Sequence, residues 1–202
     1  MFSWPTNYDS CYTLSGVFTR EGIGLHSGEK TKVRISSYEK EGYYVSFGDK
    51  PNEIFKLTQD LIGSTMLCTA VKLGGRNLYT IEHLLSSMAG CGLSYIHIQV
   101  DGKEIPLLDG SAIQWVKDFE KVGIKKAPKP DNFFREINKP VIINKEGSVI
   151  GATPSDGIKI ISTISFSYKA IGTQTFEIDL NPKSFVEKIA PARTFGFKDQ
   201  FQ

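Results

Sequence analysis

Apolar and polar residues alternate along several short stretches of the chain, and this sets the first expectations. Thr31–Ser37 (TKVRISS) places Val33 and Ile35 on one face, and Tyr95–Val100 (YIHIQV) does the same with Ile96, Ile98 and Val100. Gly42–Gly48 (GYYVSFG) is a β-rich run closed by glycines, and Met66–Val71 (MLCTAV) is a further short strand candidate. A period of two with β-branched and aromatic residues is the pattern of half-buried strands. Two stretches change to a helical period. Ile81, Leu84, Leu85 and Met88 make one stripe over Ile81–Ala89, with Thr80 as N-cap and Gly90 as stop. Trp115, Val116, Phe119 and Val122 make another over Ala112–Val122, with Ser111 as cap and Gly123 as stop.

The composition changes at Lys125–Asn132 (KKAPKPDN), which predicts a linker between a first unit (1–124) and a second (133–202). Strand signals resume at Phe134–Ile137, Val141–Asn144, Val149–Thr153, Lys159–Phe166 and Thr175–Leu180, and Pro182 opens a short helix and a loop. That is about five strands with little to cover them. A sheet with one apolar face needs a partner layer, so this half predicts further chain beyond Gln202.

Length and composition narrow the class. With 202 residues, 40% hydrophobic and 23% charged, the chain is long enough to bury a core without disulfide staples. A net charge of +2 gives no footprint for a nucleic-acid binder. No apolar run approaches a membrane span, and MFSWPTNYDSCYTL does not read as a secretory signal. Cys11, Cys68 and Cys91 are odd in number and form no CxxC, which predicts free thiols in a reducing cytosol.

Candidate chemistry is sparse. On the first helix, Glu82 and His83 fall outside the apolar stripe. They read either as a carboxylate beside a metal-binding imidazole or as a solvated polar face, and the helix alone leaves both open. H-E-x-x-H is absent, and its inverted form fails because Tyr79 stands where a histidine is required. A catalytic zinc takes three protein ligands, and the chain has only His26, His83 and His97. His97 lies on the polar face of its strand. EGIGLHSG (Glu21–Gly28) reads as a plain turn or a substrate-facing loop. It matches no phosphate-loop pattern. In Asp101–Ala112, Asp109-Gly110 is a turn signal, and structure alone explains every residue there. In ARTFGF, Thr194 offers a hydroxyl that could polarise a carbonyl, and Phe195 an apolar wall.

Taken in order, GIGLHSG (22–28), TMLCTAV (65–71), TIEHLLSSMAGCGL (80–93), IPLLDGSA (105–112) and ARTFGF (192–197) resemble the UDP-3-O-acyl-N-acetylglucosamine deacetylases, the zinc enzymes of lipid A biosynthesis. The resemblance runs from about Tyr12 to Phe197. It implies an α+β fold of two similar sheet-plus-helices domains packed helix layer to helix layer, the second incomplete in this chain. It also implies a cytoplasmic hydrolase that binds one Zn2+, releases acetate from a UDP-sugar carrying an acyl chain, is monomeric when full length, and has neither a nucleic-acid partner nor a stable membrane anchor. By the same resemblance His83 is a zinc ligand, Glu82 the general base and Thr194 the hydroxyl that steadies the oxyanion. Leu25, His26, Met66, Cys68 and Phe195 lie about the substrate. The family carries its other two zinc ligands in an H-K-x-x-D-x-x-G-D segment, with a further histidine and a substrate-contacting lysine, none of which occurs in these 202 residues. The remaining ligands are therefore expected beyond Gln202, and the chain alone is expected to be inactive. The alternatives are a non-catalytic remnant or one half of a split enzyme.

Overall fold

In a computed structural model, residues 2–130 and 136–196 are described. The architecture is α+β. A five-stranded sheet has the order β2 (Phe18–Ile23), β3 (Lys30–Ser37), β8 (Tyr95–Asp101), β4 (Gly42–Phe47), β5 (Lys50–Lys56). The central strand β8 runs antiparallel to β3 and parallel to β4. Parallel neighbours need a crossover. Here it is built from β5, the small hairpin β6 (Val71–Leu73)–β7 (Arg76–Leu78) and helix α1 (Glu82–Gly90).

The alternation in β3 and β8 does what the pattern predicts. Val33, Ile35, Ile96, Ile98 and Val100 are fully buried on one face of the sheet. α1 presents Leu84 and Met88 to the same core, and α2 (Ile113–Val122) presents Trp115, Val116 and Phe119. Gly123 ends α2 at a φ of +78°, a backbone conformation that favours glycine.

Three local expectations are corrected. The stretch Met66–Val71 is not a strand: Leu67 has a φ of +62°, outside any extended conformation, and only Val71 joins β6. Thr80 does not cap α1. Its φ is +58°, its hydroxyl donates to Glu104, and Ile81 takes the N-cap position. Ser111 does not cap α2, because its hydroxyl donates to Asp109 (2.7 Å) and Ala112 takes that position. In both cases a carboxylate, the stronger acceptor, has claimed the hydroxyl. α1 runs through Gly90, and Gly92 takes the left-handed turn at a φ of +74°.

Strands β1 (Cys11–Leu14), β2, β5, β6, β7 and β9 (Ile124–Ala127) carry no clear alternation in the sequence. β9 takes up residues 124–127, including the start of the stretch read as a linker, and pairs antiparallel with β1. In the second half, β10 (Val141–Lys145) pairs with β11 (Ser148–Ala152), and β12 (Lys159–Ser165) with β13 (Thr173–Asp179). Phe134 lies outside the described residues, and Glu136 and Ile137 are in no strand. The β12–β13 hairpin is two-faced. Ile160, Ile164, Phe176 and Ile178 share one face, while the other carries Lys159–Glu177 and the pairs Thr163–Thr175 and Ser165–Thr173.

After β13, an Asn181–Ser184 capping box starts α3 (Pro182–Ser184), which runs into a π-helical turn (Phe185–Ile189). This segment docks on α1. A Cβ built on Gly90 would sit 2.4 Å from the Phe185 ring, so only glycine admits that contact.

The least expected core group is Glu104, a charged residue only 1% exposed. Its Oε1 accepts from the His26 N–H (3.0 Å) and the Thr80 hydroxyl (2.8 Å), and its Oε2 from the Ser27 N–H (2.8 Å). Burial pushes the carboxyl pKa up. The bonds from Ser27, His26 and Thr80 outweigh it and hold the group below the usual carboxylate range. A carboxylate lowered in the folded state stabilises the fold above its unfolded pKa of about 4.3. That stability is lost as pH falls through the folded value. Glu104→Gln keeps the shape but turns an N–H2 toward donors. Chemical unfolding at pH 7 is expected to show a loss of about 1–3 kcal/mol. The gap to the unaltered chain is expected to close as pH falls below about 4.

Candidate functional site

Of the five sequence segments, the 65–71 stretch touches the first turn of α1 directly, the 22–28 loop is joined to the entry of that helix through Glu104, and 192–197 is held by 105–112. Thr69 clamps that turn from outside: its N–H donates to Glu82 Oε2 (3.0 Å), and its carbonyl accepts from the Ile81 N–H (3.3 Å). This brings the 65–71 stretch over Glu82 and His83, both half-buried. Helix geometry explains why these two are available. The residues that bury α1 are Leu84, Ser87, Met88 and Gly90, which leaves the first-turn pair off the core.

The 22–28 loop reaches the same turn through Glu104. Gly24 makes the approach possible, because a Cβ there would fall 2.3 Å from Glu104 Oε2. The loop is closed by Gly28 N–H on Gly24 O (3.0 Å), with Gly28 at a φ of +65°. Thr80, two residues before Glu82, shares the Glu104 carboxylate with this loop.

The 105–112 segment then carries the connection to Thr194. Asp109 accepts from the Ser111 N–H and hydroxyl and from the Gln114 amide (3.2 Å). Burial raises its carboxyl pKa, and these bonds, Ser111 first, bring it below the ordinary value. The Asp109 carbonyl accepts from Arg193 Nε (2.8 Å), and the Gly110 carbonyl accepts from the Thr194 N–H (2.8 Å). Thr194 is thereby fixed by its backbone, and its side chain remains exposed. Its link to Glu82 is indirect, running through Gly110, Glu104 and Thr80.

The other candidate residues spread outward from this centre. Leu25 is 45% exposed and Met66 81%, His26 is exposed, and Cys68 is half-buried next to Thr69. Phe195 packs edge-on against Phe166 with ring centroids 5.7 Å apart. His97 stands apart on the outer face of the sheet. Its Nε2 is 2.9 Å from Ser46 Oγ, and burial, then Arg34, hold its pKa below the ordinary imidazole value. Cys11 and Cys91 are buried free thiols whose pKa values burial pushes up, which leaves them unreactive. Among the described residues no three His, Cys, Asp or Glu side chains come together as a metal site.

Glu104 was not singled out from the sequence. It sits in a connection with no periodicity, and nothing local marks an acid as buried. The one available signal was indirect: three glycines in EGIGLHSG announce a close approach but do not name the partner.

No helix among the described residues is long and apolar enough to cross a membrane. The chain is 38% identical over 187 residues to a UDP-3-O-acyl-N-acetylglucosamine deacetylase of Oleidesulfovibrio alaskensis, covering 92% of this chain and 61% of that protein. Proteins of the same name from Trichormus variabilis and Thermodesulfovibrio yellowstonii are 35% and 34% identical, covering 95% and 92% of this chain and 70% and 63% of their own lengths. The chain thus spans roughly two thirds of the curated relatives it matches. The model of the LpxC family, UDP-3-O-acyl N-acetylglycosamine deacetylase, matches residues 12–202, and the chain belongs to that family.

Proposed function

We propose that this chain carries the base and one metal-ligating imidazole of a cytoplasmic, zinc-dependent deacetylase. The enzyme would hydrolyse the N-acetyl group of UDP-3-O-acyl-N-acetylglucosamine, releasing acetate on the way to lipid A. The observation that supports this best is the setting of the Glu82–His83 turn, with Thr69 bonded to Glu82 and Glu104 joining the 22–28 loop to Thr80 just before it, within a match that spans residues 12–202.

The residues present fit one edge of a zinc site and do not close it. His83 offers a half-buried imidazole, but the described residues supply no second and third donor beside it. On this reading the other donors come from outside these 202 residues. A zinc ion supplies Lewis acidity at such a site. The chain's own part is the rest. Glu82 is steadied at Oε2 by the Thr69 N–H, which leaves Oε1 to take the proton of the attacking water. The Thr194 hydroxyl donates to the oxyanion that forms on the acetamide carbonyl. Leu25, His26, Met66, Cys68 and Phe195 line the approach of the substrate.

The test is acetate release and zinc content in the protein expressed from its complete reading frame. Glu82→Gln is expected to lower kcat by about 100-fold or more with zinc retained. His83→Ala is expected to lose the zinc. Thr194→Ala is expected to lower kcat by about 100-fold with little change in KM. Full activity in Glu82→Gln overturns the assignment of the base.

The 202-residue chain purified alone is expected to hold well under one zinc per chain and to release no acetate. One imidazole is far short of the three ligands a catalytic zinc takes. Stoichiometric zinc with turnover would show that this chain closes the site unaided.

A further inference from the structure

Residues 2–10 precede β1 and fall outside the 12–202 family match, yet they are bound into the fold at three places. Trp4 is 7% exposed, and its indole Nε1–H donates to Glu120 Oε1 on α2 (2.7 Å). The Tyr8 hydroxyl donates to the carbonyl of Gly90, the last residue of α1 (2.9 Å). The Pro5 carbonyl accepts from the Lys183 N–H on α3 (3.1 Å). Burial, then Cys91, raises the Tyr8 phenol to about 12, so it remains a donor through neutral pH.

These three anchors surround one docking event. Phe185 lies 2.4 Å from where a Gly90 Cβ would be, and Pro182 and the Tyr8 ring both flank Gly92. Phe185 is 3% exposed and Ala190 is fully buried in the same core as α1 and α2. Directly after this segment, the Ala190 carbonyl accepts from the Ala112 N–H (3.1 Å), and Thr194 is set on Gly110 four residues later. A helical segment as short as 182–189 does not persist by its own propensity, so its place depends on what holds it down.

We propose that residues 2–10 form a strap that positions Thr194 by holding 182–189 on α1 and α2. The inference rests on the reading of Thr194 as an oxyanion donor. Tyr8 and Trp4 are positioning residues on this view. They tie the arm to the two helices, while Pro5 between them holds the docked segment at Lys183, and they are not placed in the reacting centre.

The competing view is that the arm only covers the core, which predicts a general loss of stability. Amide hydrogen exchange separates the two. In the Trp4→Phe, Tyr8→Phe double variant the apolar surface stays and the two side-chain bonds go. Exchange at the Ala190 and Thr194 amides is expected to rise about tenfold, with the amides of β3 and β8 unchanged. A chain shortened to begin at Ser10 is expected to show a larger rise at the same positions. Unchanged exchange at Ala190 and Thr194 overturns the proposal, and so does an equal rise across β3 and β8. In the protein from the complete reading frame, the double variant is expected to lower kcat several-fold with KM unchanged. It is expected to add nothing to Thr194→Ala, and independent losses in that pair overturn the link to Thr194. Failure of the deacetylase reading itself looks different: the unaltered protein would release no acetate, while the exchange result would stand.

Discussion

A buried carboxylate organises the candidate site. Glu104 sits almost wholly out of water and accepts from two backbone N–H groups of one loop and from a hydroxyl at a helix entry. Two of those donors belong to the 22–28 loop and the third to the entry of α1, so one charge fixes the placement of residues 26 and 27 relative to residue 80. The arrangement is stable only because it is satisfied. A lone buried carboxylate would neutralise or draw in water, whereas three charge-assisted bonds keep it ionised. Apolar packing could bring the same segments together but would not set their register so narrowly.

Two glycines extend that constraint to the backbone. At Gly24 the Glu104 oxygen occupies the space of a side chain, and at Gly90 the Phe185 ring does. One approach lets the 22–28 loop close on the first turn of α1. The other lets the segment before Thr194 lie on its last turn. α1 is therefore gripped at both ends by different parts of the chain, and the residues proposed to do chemistry are held relative to it. This explains why so short a helix, lacking a side-chain cap, is a secure base for Glu82 and His83.

Much of this was legible in the letters, and the failures have physical causes. β3, β8, α1 and α2 were readable because each buries one face, and burying one face writes a period into the sequence. β2 and β5 are edge strands, and β5 buries almost nothing, so its residues KPNEIFK carry no such record. Met66–Val71 has the composition of a short strand, but an apolar run need not be a buried one. Met66 and Leu67 are exposed, and the stretch is shaped by Thr69 and the left-handed Leu67. Thr80 and Ser111 are sound caps by local rules, and both hydroxyls go to carboxylates instead: Thr80 to Glu104, a tertiary effect that no short window contains, and Ser111 to Asp109, a local competitor two residues before it. Glu82 and His83 could be picked out as the pair that leaves the apolar stripe. Their setting depends on Thr69 and Glu104, whose hydrogen bonds span from 13 to 78 residues.

The two sides of the proposed site are held by different kinds of force. Glu82 stands on a helix whose inner face is fully buried, and its carboxylate is steadied by a backbone N–H from a neighbouring loop. Thr194 stands on an exposed segment held by its own N–H on Gly110, by the Arg193 side chain on the Asp109 carbonyl and by the docking of 182–189 behind it. The first placement is as rigid as the core. The second is only as firm as a short helical turn and whatever clamps it. An oxyanion donor must be set in place before charge develops, since its value lies in needing no reorganisation at that moment. The weaker side of the site thus has the greater need of outside support. In this chain that support comes from Phe185 against Gly90 and from Trp4, Pro5 and Tyr8, which bridge the docked turn and both helices.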